Sequence, residues 1–238
     1  MESLKNKNVL ITGATGGIGS KTVQLLAGSG AHLFLAARNA EKLTAVALQN
    51  NIPVDQTLAL DLSKPEEVAL LKERLFTKFQ SIDVIVNAAG VGIIKQIDEL
   101  SETEFLRTLN YNLYAPFLLM KSFLPKMKEQ KKGLIINIPG VLGKVPMAGA
   151  AAYSASKYGL VGMMQSLREE VKRTEIRITN LFLGGVDTAF WDTIDLRVQR
   201  DKMVMAEEAA KAIWFLCQQP SSGVVSEMVL QPFNHQAI

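Results

Sequence analysis

The sequence predicts an α/β fold in which helices cover both faces of a parallel sheet. Short apolar runs alternate with longer segments of helical periodicity along the whole chain, which is typical of β-α-β units. The apolar runs lack the polar alternation of a half-exposed strand, so they indicate a sheet buried on both faces. A glycine-rich turn joins the first apolar run directly to the first helical pattern. These features favour a doubly wound sheet.

Seven apolar runs are expected to form the strands, and six helical patterns lie between them. In chain order the predicted strands are 9–11, 32–35, 57–60, 83–86, 134–138, 177–183 and 227–230. In chain order the predicted helices are 17–26, 41–49, 65–79, 102–128, 153–173 and 207–218. Pro116 lies inside the fourth helix, where its missing N–H predicts a kink.

The composition is that of a globular chain. With 238 residues, of which 48% are hydrophobic and 21% charged, the chain can bury a full core. No repeat, low-complexity run or linker interrupts it, so residues 1–238 are expected to form a single domain. The N-terminus lacks a signal-peptide pattern, and no apolar stretch approaches the roughly 20 residues that span a bilayer. We therefore expect a cytoplasmic protein with no membrane partner.

Charge and residue counts exclude several kinds of site. Only His32 and His235 are present, so no metal site is expected. The single cysteine, Cys217, excludes an internal disulfide, and its apolar surroundings favour a place in the core. The formal charge is +3. The one lysine cluster in the sequence lies where a helix should end, which favours a solvated helix terminus over a nucleic-acid-binding surface. That cluster is Lys126, Lys128, Lys131 and Lys132.

The turn after the first strand is suited to binding a dinucleotide. It reads Thr12-Gly13-Ala14-Thr15-Gly16-Gly17-Ile18-Gly19. Glycines at 13, 17 and 19 let the backbone turn sharply, approach a pyrophosphate and pack the helix against the sheet, while the helix N-terminus stabilises phosphate charge. The spacing is Gly-x-x-x-Gly-x-Gly and not Gly-x-Gly-x-x-Gly, so a merely glycine-rich turn is the alternative.

A tyrosine and a lysine stand four residues apart in the segment Ala152-Tyr153-Ser154-Ala155-Ser156-Lys157. On a helix this spacing places both side chains on one face. A phenol carries protons near neutral pH only if its pKa falls by roughly 3 units, or about 4 kcal/mol. A desolvated ammonium beside a cationic coenzyme ring can supply that shift. An ordinary amphipathic helix pair is the alternative.

Four motifs in order resemble the short-chain dehydrogenase/reductase family. They are the Thr-Gly-x-x-x-Gly-x-Gly turn, Asn87-Ala88-Ala89-Gly90 after the fourth strand, Asn112 in the following helix, and Tyr153-x-x-x-Lys157. The match spans essentially the whole chain. It implies a Rossmann-like doubly wound parallel sheet of about seven strands, in the order 3-2-1-4-5-6-7, with helices on both faces.

The resemblance also implies a reaction and the residues that carry it. Hydride passes between nicotinamide C4 and a carbonyl or alcohol carbon, while Tyr153 exchanges the proton at oxygen. Lys157 is expected to bind the nicotinamide ribose and lower the pKa of Tyr153, and Asn112 to support a water relay. The coenzyme-binding residues implied are Gly13, Thr15, Gly17, Ile18, Gly19, Arg38, Asp61, Leu62, Asn87, Ala88, Ala89, Gly90, Tyr153, Lys157, Gly185, Val186 and Thr188.

The segment after the second strand favours NADP(H) over NAD(H). An acidic side chain there would bind the ribose 2′-hydroxyl and repel a 2′-phosphate, whereas an arginine would bind the phosphate. This chain reads Leu35-Ala36-Ala37-Arg38-Asn39, without a carboxylate. A solvent-facing Arg38 is the alternative. By resemblance Asp61 lies beside the adenine and Asn87 braces the central strands near the ribose, and a role as turn residues stays open for both.

The segment after the sixth strand departs from the family pattern. Gly184-Gly185-Val186-Asp187-Thr188 stands where the family usually has Pro-Gly-x-x-Thr. The missing proline predicts a looser turn. Val186 and Thr188 are expected to meet the nicotinamide carboxamide. Residues 189–203 are expected to form a mobile substrate lid.

Two features of the sequence bear on the substrate and favour different ligands. The lid residues Phe190, Trp191 and Ile194 favour a partly hydrophobic ligand, with lid packing as an equal alternative. The C-terminal segment 226–232 lacks the Gly-Gly ending common in acyl-carrier-protein reductases. It looks more like relatives that act on small hydroxy acids or similar polar alcohols.

The largest departure lies in the fifth strand. The family usually carries a serine about thirteen residues before the tyrosine, where its hydroxyl donates to the substrate oxygen, and this chain has Gly140. The segment 137–143 holds no other hydroxyl, and Pro139 has no N–H. Losing one such donor costs about 10²–10³ in rate. We therefore expect weakened chemistry, and we expect Gly140→Ser to raise turnover. Helix geometry turns Ser154 and Ser156 away from the reacting face.

Two functions stay open from the sequence. The first is an NADP(H)-dependent oxidoreductase that interconverts a carbonyl compound and a secondary alcohol, with reduced or unusual activity. The second is a sensor or structural protein that binds NADP(H) and does little chemistry. Gly140 and the altered turn at Gly184 support the second, whereas Tyr153, Lys157 and Asn112 argue against it.

The resemblance further implies a homodimer or homotetramer that binds a small carbonyl or alcohol substrate and no nucleic acid. In this family the helices predicted at 102–128 and 153–173 usually pair across a two-fold axis. Small residues on them are expected to allow close approach between subunits. These residues are Ala115, Gly159 and Gly162.

Overall fold

The protein, seen in a computed structural model that describes residues 1–233, is built around a seven-stranded parallel sheet. The nine strands within these residues are β1 (Asn8–Thr12), β2 (His32–Ala37), β3 (Thr57–Ala59), β4 (Val84–Asn87), β5 (Lys132–Asn137), β6 (Glu175–Leu183), β7 (Val186–Asp187), β8 (Val204–Met205) and β9 (Glu227–Leu230). The large sheet has the order β3-β2-β1-β4-β5-β6-β9. This confirms the predicted order, because β9 is the seventh strand that the sequence predicts.

Helices pack on both faces of the sheet, as predicted. The α-helices within residues 1–233 are α1 (Gly17–Ala27), α2 (Ala40–Gln49), α3 (Pro65–Lys78), α4 (Glu102–Leu109), α5 (Ala115–Gln130), α6 (Ala151–Val171) and α7 (Ala206–Cys217). Successive residues of a strand point to opposite faces. Ile11 of β1 therefore joins the core under α1, α2 and α7, while Leu10 joins the core under α3, α5 and α6.

The long helix predicted at 102–128 is interrupted. A π-helical turn, Asn110–Tyr114, separates α4 from α5, and the N–H of Ala115 donates to the carbonyl of Asn110 five residues back. At the position of the predicted kink, Pro116 lies in the first turn of α5, and it has no N–H to offer the carbonyl of Asn112 four residues earlier. Such single π turns occur often at functional sites. Asn112 lies in the middle of this one.

A small parallel ladder at the base of the lid segment was missed by the sequence analysis. Val186 pairs with Val204 and Asp187 pairs with Met205, so β7 and β8 close off residues 188–203. Two-residue strands are too short to show a period-2 pattern. Between them lie two 3-10 turns, Ala189–Thr193 and Arg200–Lys202.

The expectation about small residues at a subunit contact is mostly wrong. Ala115 is buried within the subunit. A Cβ on Gly159 would lie 2.9 Å from a side-chain carbon of Leu113, so this glycine packs inside the chain as well. Only Gly162 faces open space, with no heavy atom within 4 Å of an added Cβ.

The sequence predicts no membrane-spanning helix and no metal site, and it places the single cysteine in the core. Within residues 1–233, no helix combines the length and the apolar character that crossing a bilayer requires. The same residues hold no cluster of three or more His, Cys, Asp or Glu side chains suited to a metal ion, and His235 lies outside them. Cys217 is buried in the core, and burial raises the pKa of its thiol to about 12. The single-domain organisation of residues 1–238 stays a prediction.

Candidate active site

A continuous cleft lies at the carboxyl ends of the central strands. It consists of a cavity of about 300 Å³ near the end of β2 and a cavity of about 550 Å³ that reaches the lid segment. Thr15, Gly16, Ala88 and Gly90 line both cavities, so the two volumes meet at the glycine-rich turn. Open α/β sheets bind ligands at this edge, where the strand order reverses.

The structure brings most of the predicted site residues to this cleft. The predicted residues that line it are Gly13, Thr15, Gly17, Ile18, Gly19, Arg38, Leu62, Ala88, Ala89, Gly90, Gly140, Tyr153, Gly185, Val186 and Thr188. Four others lie behind the lining and support it. They are Asp61, Asn87, Asn112 and Lys157.

The glycine-rich turn needs its glycines for close packing. Gly13 has a φ of 66°, and a Cβ there would lie 2.7 Å from the backbone of Ala88 and Ala89. A Cβ on Gly19 would collide with the carbonyl of Gly13. Helix α1 follows with Gly16 as its N-cap and no side-chain cap, so its first N–H groups are free of side-chain acceptors. A helix terminus of this kind binds phosphate groups.

An arginine, a tyrosine and an aspartate are linked at the smaller cavity. The guanidinium carbon of Arg38 lies 5.0 Å from the centroid of the Tyr111 ring, and the Tyr111 hydroxyl donates to Asp61 Oδ2 at 2.9 Å. Asp61 Oδ1 accepts from the backbone N–H and hydroxyl of Ser63. Burial alone would raise the pKa of Asp61, but these hydrogen bonds outweigh it and lower the pKa below its usual value. Lys42 also lines this cavity.

Tyr153 and Lys157 share one face of α6, as the four-residue spacing predicts. The Lys157 Nζ atom lies 5.4 Å from the centroid of the Tyr153 ring and donates to the carbonyl of Ile138 at 3.2 Å. Desolvation raises the pKa of Tyr153 to about 12 and lowers the pKa of Lys157 to about 8. The protein by itself therefore does not lower the pKa of the phenol. The downward shift expected from the sequence needs a further positive charge beside the ring.

Asn112 joins the π turn to helix α6. Its Oδ1 accepts from the backbone N–H of Val91 at 2.8 Å, and its Nδ2 donates to the carbonyl of Val91 and to Ser156 Oγ. Ser156 in turn donates to the carbonyl of Tyr153 at 2.7 Å. The side chain of Asn112 is thus committed to protein partners. Ser156 is buried outside the cavity lining, in agreement with its predicted orientation.

A polar row crosses the sheet beneath the cleft. Thr12, Asn87 and Asn137 end β1, β4 and β5, and they stand side by side in register with Asn180 inside β6. Asn87 accepts from Thr12 and donates to Asn137. Asn87 therefore braces the strand edges, as the resemblance implies. The continuation of this row to Asn137 and Asn180 was not predicted. Neighbouring positions on different strands are known only when the strand register is known.

The position of the expected serine has a backbone that favours glycine. Gly140 has φ 71° and ψ 169°, a region that is essentially restricted to glycine. There is room for a side chain, since an added Cβ would meet only the carbonyl of Leu183 at 3.5 Å. The departure is therefore a change of backbone and not only the loss of a hydroxyl.

The lid segment is tied down at its base. Arg200 forms ion pairs with Asp187 and Asp192 at 2.5 and 2.6 Å. Phe190 and Trp191 line the larger cavity, whereas Ile194 is buried away from it and serves packing. The Phe190 ring centroid lies 6.1 Å from that of Tyr153, in an edge-on arrangement.

The turn at Gly184 is not loose, contrary to the expectation from the missing proline. The N–H of Gly184 donates to the carbonyl of Leu230 at 2.8 Å. A Cβ on Gly184 would lie 2.7 Å from Pro232. The glycine therefore permits close packing of this turn against the end of β9.

Comparison with known proteins agrees with this geometry. A model of the short chain dehydrogenase family matches residues 7–198. The chain belongs to this family. An uncharacterized oxidoreductase of Staphylococcus saprophyticus is 32% identical over 244 residues, which cover 98% of each chain. The short-chain dehydrogenase fold and the assignment to oxidoreductases are therefore both supported along the whole chain.

Two solved oxidoreductase structures have a similar fold. A metagenomic short-chain oxidoreductase in complex with NADP is 31% identical, with a TM-score of 0.84 and coverage of 97% of this chain and 99% of that one. An alcohol dehydrogenase from the archaeon Thermococcus sibiricus, complexed with 5-hydroxy-NADP, is 27% identical, with a TM-score of 0.88 and coverage of 98% and 100%.

Tyr111 lines the smaller cavity but is not among the site residues predicted from the sequence. It lies one position before Asn112, and this adjacency to a predicted site residue is the signal in the sequence that points to it. Its partners, however, are Arg38 and Asp61, which are distant in the chain. Only the packing of the π turn against the ends of β2 and β3 brings the three together.

Proposed function

We propose that this short-chain dehydrogenase is an NADP(H)-dependent oxidoreductase that interconverts a carbonyl compound and a secondary alcohol. The observation that carries the proposal is the convergence of Tyr153 with the glycine-rich turn and the Gly185–Thr188 segment on one cavity. Lys157 lies behind the tyrosine with its ammonium almost fully buried. A phenol supported by an ammonium at the end of a dinucleotide cleft is suited to proton transfer at a substrate oxygen.

The lining of the smaller cavity supports NADP(H) over NAD(H). Arg38 and Lys42 place two cations there, and none of its lining side chains within residues 1–233 is acidic. A 2′-phosphate would find charge-assisted donors, whereas a 2′-hydroxyl would find no carboxylate acceptor. The ligands named for the two similar solved structures, NADP and 5-hydroxy-NADP, agree with this preference.

The residues of the chain then have separate tasks. The bound coenzyme supplies or accepts the hydride. Tyr153 donates a proton to the substrate oxygen during carbonyl reduction and accepts it during alcohol oxidation. Lys157 is mostly protonated at neutral pH, because its pKa is about 8, and its charge stabilises the phenolate. Asn112 holds the π turn against Ser156. The backbone carbonyl of Asn112 receives no hydrogen bond from Pro116, which lacks an N–H, and this carbonyl is therefore available to a water relay.

The decisive test follows NADPH absorbance with a panel of carbonyl compounds. The parent protein should oxidise NADPH steadily, and Tyr153→Phe should lose about 10²–10⁴ of that rate, the range for a missing general acid. Phe keeps the aromatic ring, so NADPH affinity measured by fluorescence should stay unchanged. A variant that reduces substrate as fast as the parent would end the proposal. NADPH binding without any turnover would favour the sensor or structural protein instead.

We also propose that the protein forms a homodimer or homotetramer. Apolar aromatic side chains on the outer surface near α5 and α6 support a subunit contact there. Tyr114 and Phe117 are stacked with ring centroids 5.9 Å apart, and Tyr158 is exposed nearby on α6. Light scattering at micromolar concentration tests this, and a monomer would contradict it. A cytoplasmic location stays a prediction.

A further inference from the structure

The cavity in front of Tyr153 is apolar and carries no charge. Within residues 1–233, its lining includes no Asp, Glu, Lys, Arg or His side chain. The indole N–H of Trp191 is already donated to the carbonyl of Val186 at 2.9 Å. The apolar lining residues beyond the coenzyme turn include Ile94, Val141, Leu142, Met147, Phe190 and Trp191.

An uncharged apolar wall selects against anionic substrates. A carboxylate that enters loses its hydration and finds no cation among the lining residues, which costs several kcal/mol. The resemblance of the segment 226–232 to relatives that act on hydroxy acids is therefore not matched by the cavity. A neutral molecule with an apolar body fits the same walls without this cost.

The oxygen end of the cavity offers few donors. Tyr153 supplies one, and the glycine-restricted backbone at Gly140 (φ 71°, ψ 169°) disfavours a side-chain donor at the position of the usual serine. A simple ketone reduced here lacks a contact worth about 10²–10³ in rate. A carbonyl next to an electron-withdrawing group builds up a less basic oxyanion, so it depends less on that contact.

We propose that the substrate is a neutral carbonyl compound with an apolar body and an activated carbonyl group, such as an α-keto ester or an α-diketone. The inference rests on the proposed function. In the reduction, a hydride from NADPH forms the new bond to the carbonyl carbon, and the π electrons of the C=O bond move to its oxygen. That oxygen takes a proton from Tyr153, which solvent restores. The products are NADP⁺ and a neutral α-hydroxy ester or α-hydroxy ketone.

Three compounds with the same phenylalkyl body separate the two parts of the proposal. Ethyl 2-oxo-4-phenylbutanoate is neutral and activated, and 4-phenyl-2-butanone is neutral and unactivated. The free 2-oxo-4-phenylbutanoate is anionic and activated less strongly than the ester, because a carboxylate withdraws electrons more weakly. We expect kcat/KM for the ester to exceed that for the acid at least about 10²-fold, as an unpaired buried charge requires. We also expect the ratio of kcat/KM for the ester to kcat/KM for the ketone to be large. It should be at least about 10-fold higher than the same ratio in a short-chain dehydrogenase that carries the serine.

Each possible result decides something. An acid reduced as well as the ester overturns the neutral class, and an ester-to-ketone ratio equal to that of the serine-bearing enzyme overturns the activated class. NADPH binding without turnover of any of the three overturns the whole substrate assignment. A protein without affinity for NADPH overturns the proposed function as well, so the two failures are distinguishable by a binding measurement on the protein alone.

A charge placed at the cavity rim provides an internal check. Met147 lines the cavity and is 37% exposed, so an arginine there can reach solvent. Met147→Arg should lower the ester-to-acid ratio at least about 10-fold by giving the carboxylate a partner. Met147→Gln, which adds polarity without charge, should leave the ratio near that of the parent. Equal effects of the two variants would contradict an electrostatic origin.

Discussion

The two halves of the cleft are built in different ways. The coenzyme half is lined by the short segments that follow β1, β2, β3 and β4, together with Tyr111 and Ala115 at the π turn. The substrate half draws its walls from residues between Ile94 and Trp191, on loops that are far apart in the sequence. The first half carries the cations Arg38 and Lys42, whereas the second is uncharged. The cations of the coenzyme half therefore come from one short stretch of the sequence, whereas the walls of the substrate half depend on the assembled fold.

Lys157 lies behind the lining of the cleft, next to Tyr153, and its replacement should have the largest effect on stability. Burial lowers its pKa from 10.5 to about 8, which corresponds to roughly 3 kcal/mol. Between pH 8 and pH 10.5 the unfolded chain keeps the Lys157 proton, whereas the folded protein has lost it. The free-energy penalty of burying the charged lysine is therefore fully present below pH 8 and fades as the pH rises toward 10.5. Lys157→Met should thus be up to about 3 kcal/mol more stable than the parent at pH 7.

The same variant should lose activity while it gains stability. Without the ammonium the phenolate is unsupported, and the rate should fall about 10²-fold or more. Urea unfolding at pH 7 and pH 9.5 measures the stability difference, which should shrink at the higher pH. Burial raises the pKa of Tyr153 to about 12, so the phenol stays protonated in both folded proteins at pH 9.5 and contributes equally to them. A Met variant that is less stable than the parent at pH 7 would contradict the penalty.

Arg38 tests the coenzyme half. Arg38→Ala should weaken NADPH binding about 10–100-fold, the range for lost hydrogen bonds to a charged group, and should leave NADH binding unchanged. The measurement is calorimetric titration with both coenzymes. Lys42→Ala is the comparison variant. Lys42 lines the same cavity but offers a single point charge in place of a planar guanidinium, so its loss should weaken NADPH binding less than the loss of Arg38. Equal losses for NADPH and NADH would show that Arg38 does not contact the 2′-phosphate.

The sequence predicts the coenzyme half better than the substrate half for a physical reason. The Gly13 turn, Arg38 and the Tyr153–Lys157 pair each depend on spacing within one element, and the structure places them as expected at the cleft. The link from Tyr111 to Asp61 spans fifty positions, and the φ of Gly140 is a property of the folded loop. Neither can be read from periodicity.

Gly140 shows how the structure changes an expectation from the sequence. Its backbone is in a region restricted to glycine, so Gly140→Ser should lower the free energy of unfolding by about 1–3 kcal/mol and should not raise turnover. Gly140→Ala carries the same strain without a hydroxyl, and the two variants should agree in kcat/KM within about 3-fold. If the serine variant exceeds the alanine variant by the 10²-fold of a full donor, the loop relaxes and the original expectation holds.

Tyr111 gives the smallest and most selective prediction. Tyr111→Phe removes the hydrogen bond to Asp61 but keeps the ring under Arg38, so the loss should be about 0.5–1.5 kcal/mol, or roughly 2–10-fold. The family resemblance predicts Asp61 at the adenine end, which both coenzymes share, so NADPH and NADH should weaken equally. Tyr111→Leu also removes the cation–π contact, worth about 0.5–1 kcal/mol at an exposed site, and should weaken NADPH further than NADH. Calorimetric titration of both variants with both coenzymes separates the two contacts. A Phe variant that loses affinity for NADPH alone would mean that the hydroxyl acts through Arg38 and the 2′-phosphate, and not through Asp61 and the adenine.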